Sequence, residues 1–219
     1  MTTDVNRRRP YAGQGRQART RLARAAVVEA ARALFLERGY AGTTIETISD
    51  LANVPPATVY RLFSSKLGIL KEMLDVSIAG DDEAVPLEDR PQVRALLADR
   101  DPRQQLSGFA GITRGIMSRT EPVHRILVSA AGSDPDAAAL LAEQTRHRQR
   151  GQGQIARALA RVGALRPELR ERDAADIIHA LMSPEVYRLL VGDRGWKPER
   201  YEQWLKEILI DQLLPTPTA

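Results

Sequence analysis

Between Thr44 and Arg61 the chain carries Thr44, Thr47, Pro56, Ala57, Thr58, Tyr60 and Arg61 at positions that leave them free of any apolar stripe. The set is small, hydroxylic, aromatic and cationic. Such groups reach phosphate oxygens, base edges and thymine methyls, which is the chemistry of reading DNA rather than of bond making. No nucleophile elbow, phosphate loop, HExxH pair or Ser/His/Asp spacing occurs anywhere in the sequence, so an enzyme is not expected. The three histidines, His124, His147 and His179, lie far apart, and neither a metal nor another cofactor is expected. Asp81-Asp82-Glu83 reads as a solvated linker, not as a cation trap. Any one of the outward residues could equally be ordinary helix surface; their clustering makes them an interface.

Elements must hold these side chains. From about Thr20, Leu22, Ala26, Val27, Ala30, Leu34 and Phe35 recur at three- and four-residue steps, the period of an amphipathic helix. Gly39 ends it. Thr43 and Glu46 stand three apart, the spacing of a capping box, and predict a short second helix with Ile45, Ile48, Leu51 and Ala52 buried. Asn53 tolerates a left-handed turn, and Val54-Pro55-Pro56 starts a third helix that closes at Phe63. Ser64-Ser65 can cap a fourth, beginning near Lys66. Two short helices joined by a tight turn let the first brace on the backbone and the second enter the major groove.

Charge agrees with this placement. The 219 residues carry a net charge of +4, yet through Arg61 ten arginines face five acids, leaving +5. Residues 1–18 are polar and arginine-rich and read as a mobile basic arm, and Arg19 beyond it is a candidate DNA contact. The rest of the chain is near neutral. With 43% hydrophobic, 27% charged and 5% aromatic residues and no cysteine, the composition is that of an ordinary globular helical protein. Disulfides, zinc fingers and thiol catalysis are excluded, and a reducing cytoplasm is the expected location. Neither an 18-residue apolar run nor a secretory leader is legible.

Arg21 through Leu70 resembles the DNA-binding domain of the TetR family of repressors. The likeness rests on Val27, Ala31, Leu34, Phe35, Gly39, Tyr40, Thr44, Ile48, Val54, Thr58, Tyr60, Phe63, Lys66 and Leu70, and the TVYRLFSSK stretch is specific. It implies that Thr44, Thr58, Tyr60, Arg61 and Lys66 touch DNA. A cation beside the free N–H groups of a helix start suits a phosphate, which supports Lys66 separately. Ser49, Asn53, Pro55 and Leu62 depart from the usual Ala, Gly, Ser or Thr, and His.

The expected fold is therefore all-α, in three parts: arm 1–18, helix-turn-helix domain 19–66, and helical regulatory and dimerisation domain 67–219. Helices are expected near 92–99, 103–119, 122–131, 135–161, 173–191 and 198–214, after a looser acidic stretch from Gly80 to Pro91. The resemblance implies a homodimer through the last two long helices, with Ile178, Tyr187, Trp204, Leu205 and Ile208 as candidates. It also implies a small-molecule effector pocket, for which Phe109, Ile112, Ile116, Met117, His124, Leu127 and Met182 are candidates. The function so read is a homodimeric repressor on a double-stranded operator, released by an effector. An architectural DNA-binding protein with no ligand would share the same head.

Overall fold

The computed structural model describes residues 11–80 and 87–216, all helix, turn or coil with no strand among them. It has two compact units, Met1–Met73 and Leu74–Ala219. The first ten residues of the expected arm and the Asp81-Asp82-Glu83 segment lie outside the described residues.

The first unit is built from α1 (Tyr11–Arg38), α2 (Ile45–Ala52), α3 (Pro56–Phe63) and the first turns of α4 (Lys66–Ala79). The α1 helix begins at Tyr11, well before Thr20, so residues 11–18 are helical. Gly15, Arg16 and Gln17 are exposed, and an exposed helical stretch needs no apolar stripe. Val27, Ala31, Phe35, Ile48 and Val59 are buried, and α2 packs on both α1 and α3. Two expected stripe residues are not in this core: Leu22 is 71% exposed and Leu51 is 58% exposed. An eight-residue α2 turns only its Ile45, Ile48 and Ser49 side inward, which leaves Leu51 on the far side.

The second unit contains α5 (Pro91–Ala98), α6 (Pro102–Ala131), α7 (Pro135–Arg161), α8 (Glu171–Leu181), α9 (Pro184–Tyr187) running into a π turn (Arg188–Asp193), and α10 (Pro198–Leu213). Five of these helices start with proline, whose missing N–H costs nothing at a first turn. Asp101, Asp134 and Ser183, each directly before such a proline, accept hydrogen bonds from the free backbone N–H groups. The α6 helix runs unbroken through Pro122, so the two helices expected at 103–119 and 122–131 are one. Burial of Met117, Thr120, Val123 and Ile126 on either side holds it together against the lost bond. The helix expected at 173–191 is instead interrupted at Met182–Pro184, where the Ser183 side chain caps a fresh start.

The core of this unit gathers Leu106, Phe109 and Met117 of α6, Ile155 and Leu159 of α7, Ile178 of α8, and Tyr201, Leu205 and Leu209 of α10. Arg114 Nε pairs with Glu202 Oε2 at 2.8 Å and ties α6 to α10. The Tyr187 hydroxyl meets Ser118 Oγ at 2.9 Å, and its ring packs edge-on to Tyr201 with centroids 4.9 Å apart. Desolvation pushes the fully buried Tyr201 phenol far above the usual range.

Candidate nucleic-acid interface

Three short structural decisions set up the helix-turn-helix. The first is the start of α2. Thr44, not Thr43, is its N-cap: Thr44 Oγ1 accepts from Thr47 N, and Thr47 Oγ1 accepts from Thr44 N, both at 3.2 Å. The reciprocal box therefore uses Thr47 in the place expected for Glu46, one residue along. Thr43 is fully buried and donates to the Gly39 carbonyl at 2.9 Å, so its hydroxyl serves the α1 terminus instead.

The second is the turn between α2 and α3. Asn53 takes φ 51° and ψ 43°, the left-handed conformation its type tolerates. Ser49, one of the departures from the family pattern, is buried and donates its hydroxyl to the Val54 carbonyl across this turn. An alanine there could not make that bond. Pro55 and Pro56 then start α3 with no side-chain cap, as the fixed proline φ allows.

The third is the anchoring of α3. Val59 and Phe63 point inward, and Pro56, Ala57, Tyr60 and Arg61 are exposed on the rest of the helix. Tyr60 keeps 48% of its surface in solvent, and Thr58 is half-buried. Arg24 of α1 locks this helix from behind. Its guanidinium donates to the Leu62 carbonyl at 3.0 Å, pairs with Glu72 at 2.9 Å, and lies 4.9 Å from the Phe63 ring centroid. Leu62 lacks the polar group usual there, but its backbone is still a tie point.

The residues expected to face DNA thus fall in three places. Thr44, exposed, and Thr47, half-buried, sit at the start of α2; Pro56 through Arg61 lie on α3; Arg19 is exposed on α1, its Nε donating to the Gly15 carbonyl at 3.2 Å. Lys66 is different. At the start of α4 its Nζ donates to the carbonyls of Tyr40 at 2.7 Å and Thr43 at 2.8 Å, and it stands 4.2 Å above the Tyr40 ring. Its ammonium is committed largely to the α1–α2 turn. The inward pull of two carbonyls competes with any phosphate for the same protons.

In the second unit, Ile178 and Leu205 are fully buried and Tyr187 is 4% exposed, all within the unit's own core. Each of these three side chains is enclosed by its own unit and presents little surface outward. Trp204 and Ile208 remain partly exposed. Of the expected pocket residues, Phe109, Met117, Leu127 and Met182 are buried, and Ile112, Ile116 and His124 are half-buried. Burial drives the His124 pKa down, with Glu185 opposing the shift and Arg148 adding to it. Sequence reading missed Arg148 and Gln152, one helical turn apart on α7, which meet His179 of α8. Their i, i+4 spacing was visible, but nothing in the sequence named the partner.

Among the described residues no helix is long and apolar enough to cross a membrane, and no group of three or more His, Asp or Glu could hold a metal ion.

Residues 27–73 match the sequence profile of bacterial regulatory proteins of the tetR family. The chain is similar to the HTH-type transcriptional regulator TcmR of Streptomyces glaucescens, 31% identical over 153 residues that cover 66% of this chain and 62% of TcmR. It therefore spans less than two thirds of that relative's length. Among solved structures it is similar to NalD of Pseudomonas aeruginosa, the secondary repressor of the MexAB-OprM multidrug efflux pump. That likeness has 24% identity and a TM-score of 0.68, covering 89% of this chain and 98% of NalD. It is also similar to SmeT in a complex with triclosan, with 16% identity and a TM-score of 0.69, covering 89% of this chain and 93% of SmeT. At these identities the structural likeness is one of fold. Residues 27–73 thus match the helix-turn-helix domain of the tetR family of bacterial regulatory proteins, and the chain shares its fold with solved regulators of that kind.

Proposed function

We propose that this protein is a homodimeric repressor that leaves its operator when a small molecule binds the second unit. The observation that carries the reading is the α3 helix, with Val59 and Phe63 buried and Ala57, Tyr60 and Arg61 exposed on a capped, braced frame. On this reading α3 enters the major groove with its first turns on base edges, and Thr44 and Thr47 hold the backbone. A dimer would place two such helices about 34–36 Å apart, one helical turn of DNA, and so favour a palindromic operator. NalD is named a repressor and SmeT is seen with triclosan, which supports repression and small-molecule response here.

Release follows from linkage. A ligand that prefers a conformation with the wrong head spacing lowers DNA affinity, and DNA lowers ligand affinity by the same factor. The test is to select genomic fragments with the purified full-length protein and then measure binding to the selected site. One enriched palindrome, bound as a dimer and lost with Tyr60→Ala, is expected. Enrichment of no common sequence would sink the reading.

A further inference from the structure

Polar side chains meet inside the second unit, beside its apolar core. Gln152 is 7% exposed, and its Nε2 donates to the Met182 carbonyl at 3.3 Å. A carbonyl can only accept, so this bond fixes which way the amide points and leaves Oε1 facing His179 Nδ1 at 2.8 Å. His179 therefore carries its proton on Nδ1. Arg148, one turn earlier on α7, donates Nη1 to the His179 carbonyl at 3.2 Å. Glu185 of α9 and His124 of α6 lie close enough to couple electrostatically with Arg148.

Arg148 stands apart from the other half-buried arginines of known partner. Arg24 has Glu72 at 2.9 Å, and Arg114 has Glu202 at 2.8 Å. Arg148 makes no ion pair among the described residues, although burial is the main influence on it. A half-buried guanidinium whose one described hydrogen bond goes to a backbone carbonyl has donors to spare, and its planar fork fits a carboxylate in a two-bond arrangement. The imidazoles of His124 and His179 are both pulled below their ordinary pKa by burial, so they add donors and acceptors more than charge. With Glu185 nearby, the cluster holds one cation and one anion. A carboxylate's two oxygens match the planar fork of the single guanidinium, and a monoanion leaves less uncompensated charge beside Glu185 than a dianion such as phosphate would. Met182, whose carbonyl joins the cluster, belongs with Met117 and Phe109 to the apolar core, so the surroundings favour an acid with an apolar body.

We propose that Arg148, with Gln152, His179 and His124 around it, is the polar end of the effector site and takes the carboxylate of an amphipathic organic acid. This rests on the reading of the second unit as a small-molecule sensor.

The experiment uses octanoate and its neutral counterpart octanol as probes, titrated calorimetrically into the full chain without DNA. Octanoate should bind the wild-type protein at millimolar concentration or below. Arg148→Gln should weaken it by about tenfold to a hundredfold, the loss of a charged hydrogen-bonded pair. Binding of octanol should change little. Glu185→Gln, at an exposed position, should tighten octanoate, because it removes the competing carboxylate. Opposite signs from the two variants cannot come from a general loss of folding. Equal octanoate affinity in wild type and Arg148→Gln, or no octanoate binding to wild type, overturns the proposal. A parallel measurement on the selected operator keeps the two readings apart. If octanoate binds through Arg148 and DNA affinity does not change, the sensing function fails and the site stands. If other small molecules release DNA and octanoate does not bind, the site fails and sensing stands.

Discussion

The Lys66 ammonium sits 4.2 Å above the Tyr40 ring centroid and donates to the carbonyl of that same residue at 2.7 Å. With the second bond to Thr43 at 2.8 Å, one lysine fastens the start of α4 to the connection between α1 and α2. A residue that reads from sequence as a phosphate contact is thus also a staple of the domain. Lys66→Ala should therefore destabilise the chain by about 1–3 kcal/mol, the range for hydrogen bonds from a charged donor in a half-buried place. Urea unfolding checks this. The slope of DNA affinity against salt separates the two roles: it falls by about one unit if Lys66 also holds a phosphate and stays put if it does not.

Tyr60 and Arg61 should behave in the opposite way. Both are exposed, so Tyr60→Ala and Arg61→Gln should alter stability by no more than about 0.5 kcal/mol. DNA affinity should drop about tenfold or more for each, as for the loss of a good base or phosphate contact. Anisotropy titration on the selected operator, beside thermal melts, reads both quantities. Unchanged affinity in the two variants would remove α3 from the interface.

The register of the α2 cap gives a sharper check. Thr44→Ala should cost about 1 kcal/mol, the ordinary value of an N-cap hydroxyl. Thr47→Ala should cost a comparable amount, and the double variant less than the two combined, since the residues share one reciprocal box. Glu46→Ala should be nearly neutral. A large loss at Glu46 with none at Thr47 would restore the Thr43–Glu46 box.

The histidines of the second unit fix a pH dependence. His124 and His179 are both lowered, mainly by burial, with Glu185 opposing and Arg148 adding. A histidine whose folded pKa lies below its unfolded value binds fewer protons when folded. Stability is then full above the ordinary imidazole value of 6.5 and falls as pH drops from there toward the folded pKa. Thermal midpoints measured from pH 8 down to pH 5 should decline through that window. His124→Gln should flatten the decline, and an unchanged decline would clear His124 of the effect.

The parts of the fold written in local chemistry were legible. Gly39, Asn53, Pro56 and the prolines after Asp134 and Lys197 mark chain reversals and helix starts because their backbone preferences act within a few residues. The inward residues Val27, Phe35, Ile48, Val59 and Phe63 could be named from period alone. Where a choice lay between near-equal local options, the sequence misled. Thr43 and Thr44 can each cap a helix; burial of Thr43 under the α1 terminus decides between them. Pro122 reads as a break, and packing along both halves of α6 overrides it.

By itself, then, the sequence determined that the chain is helical, that a helix-turn-helix lies near its N-terminus, and that Pro56, Ala57, Tyr60 and Arg61 of α3 stay outside. Each follows from the φ preferences of Gly, Asn and Pro and from a 3.6-residue period, which need no distant partner. Only the tertiary structure decided that Lys66 is held by Tyr40 and Thr43, that Ile178, Tyr187 and Leu205 are spent on the unit's own core, and that Arg148 meets His179. Those contacts join residues 23 to 31 positions apart or more in the chain, and which distant groups a side chain meets is set by how whole helices pack.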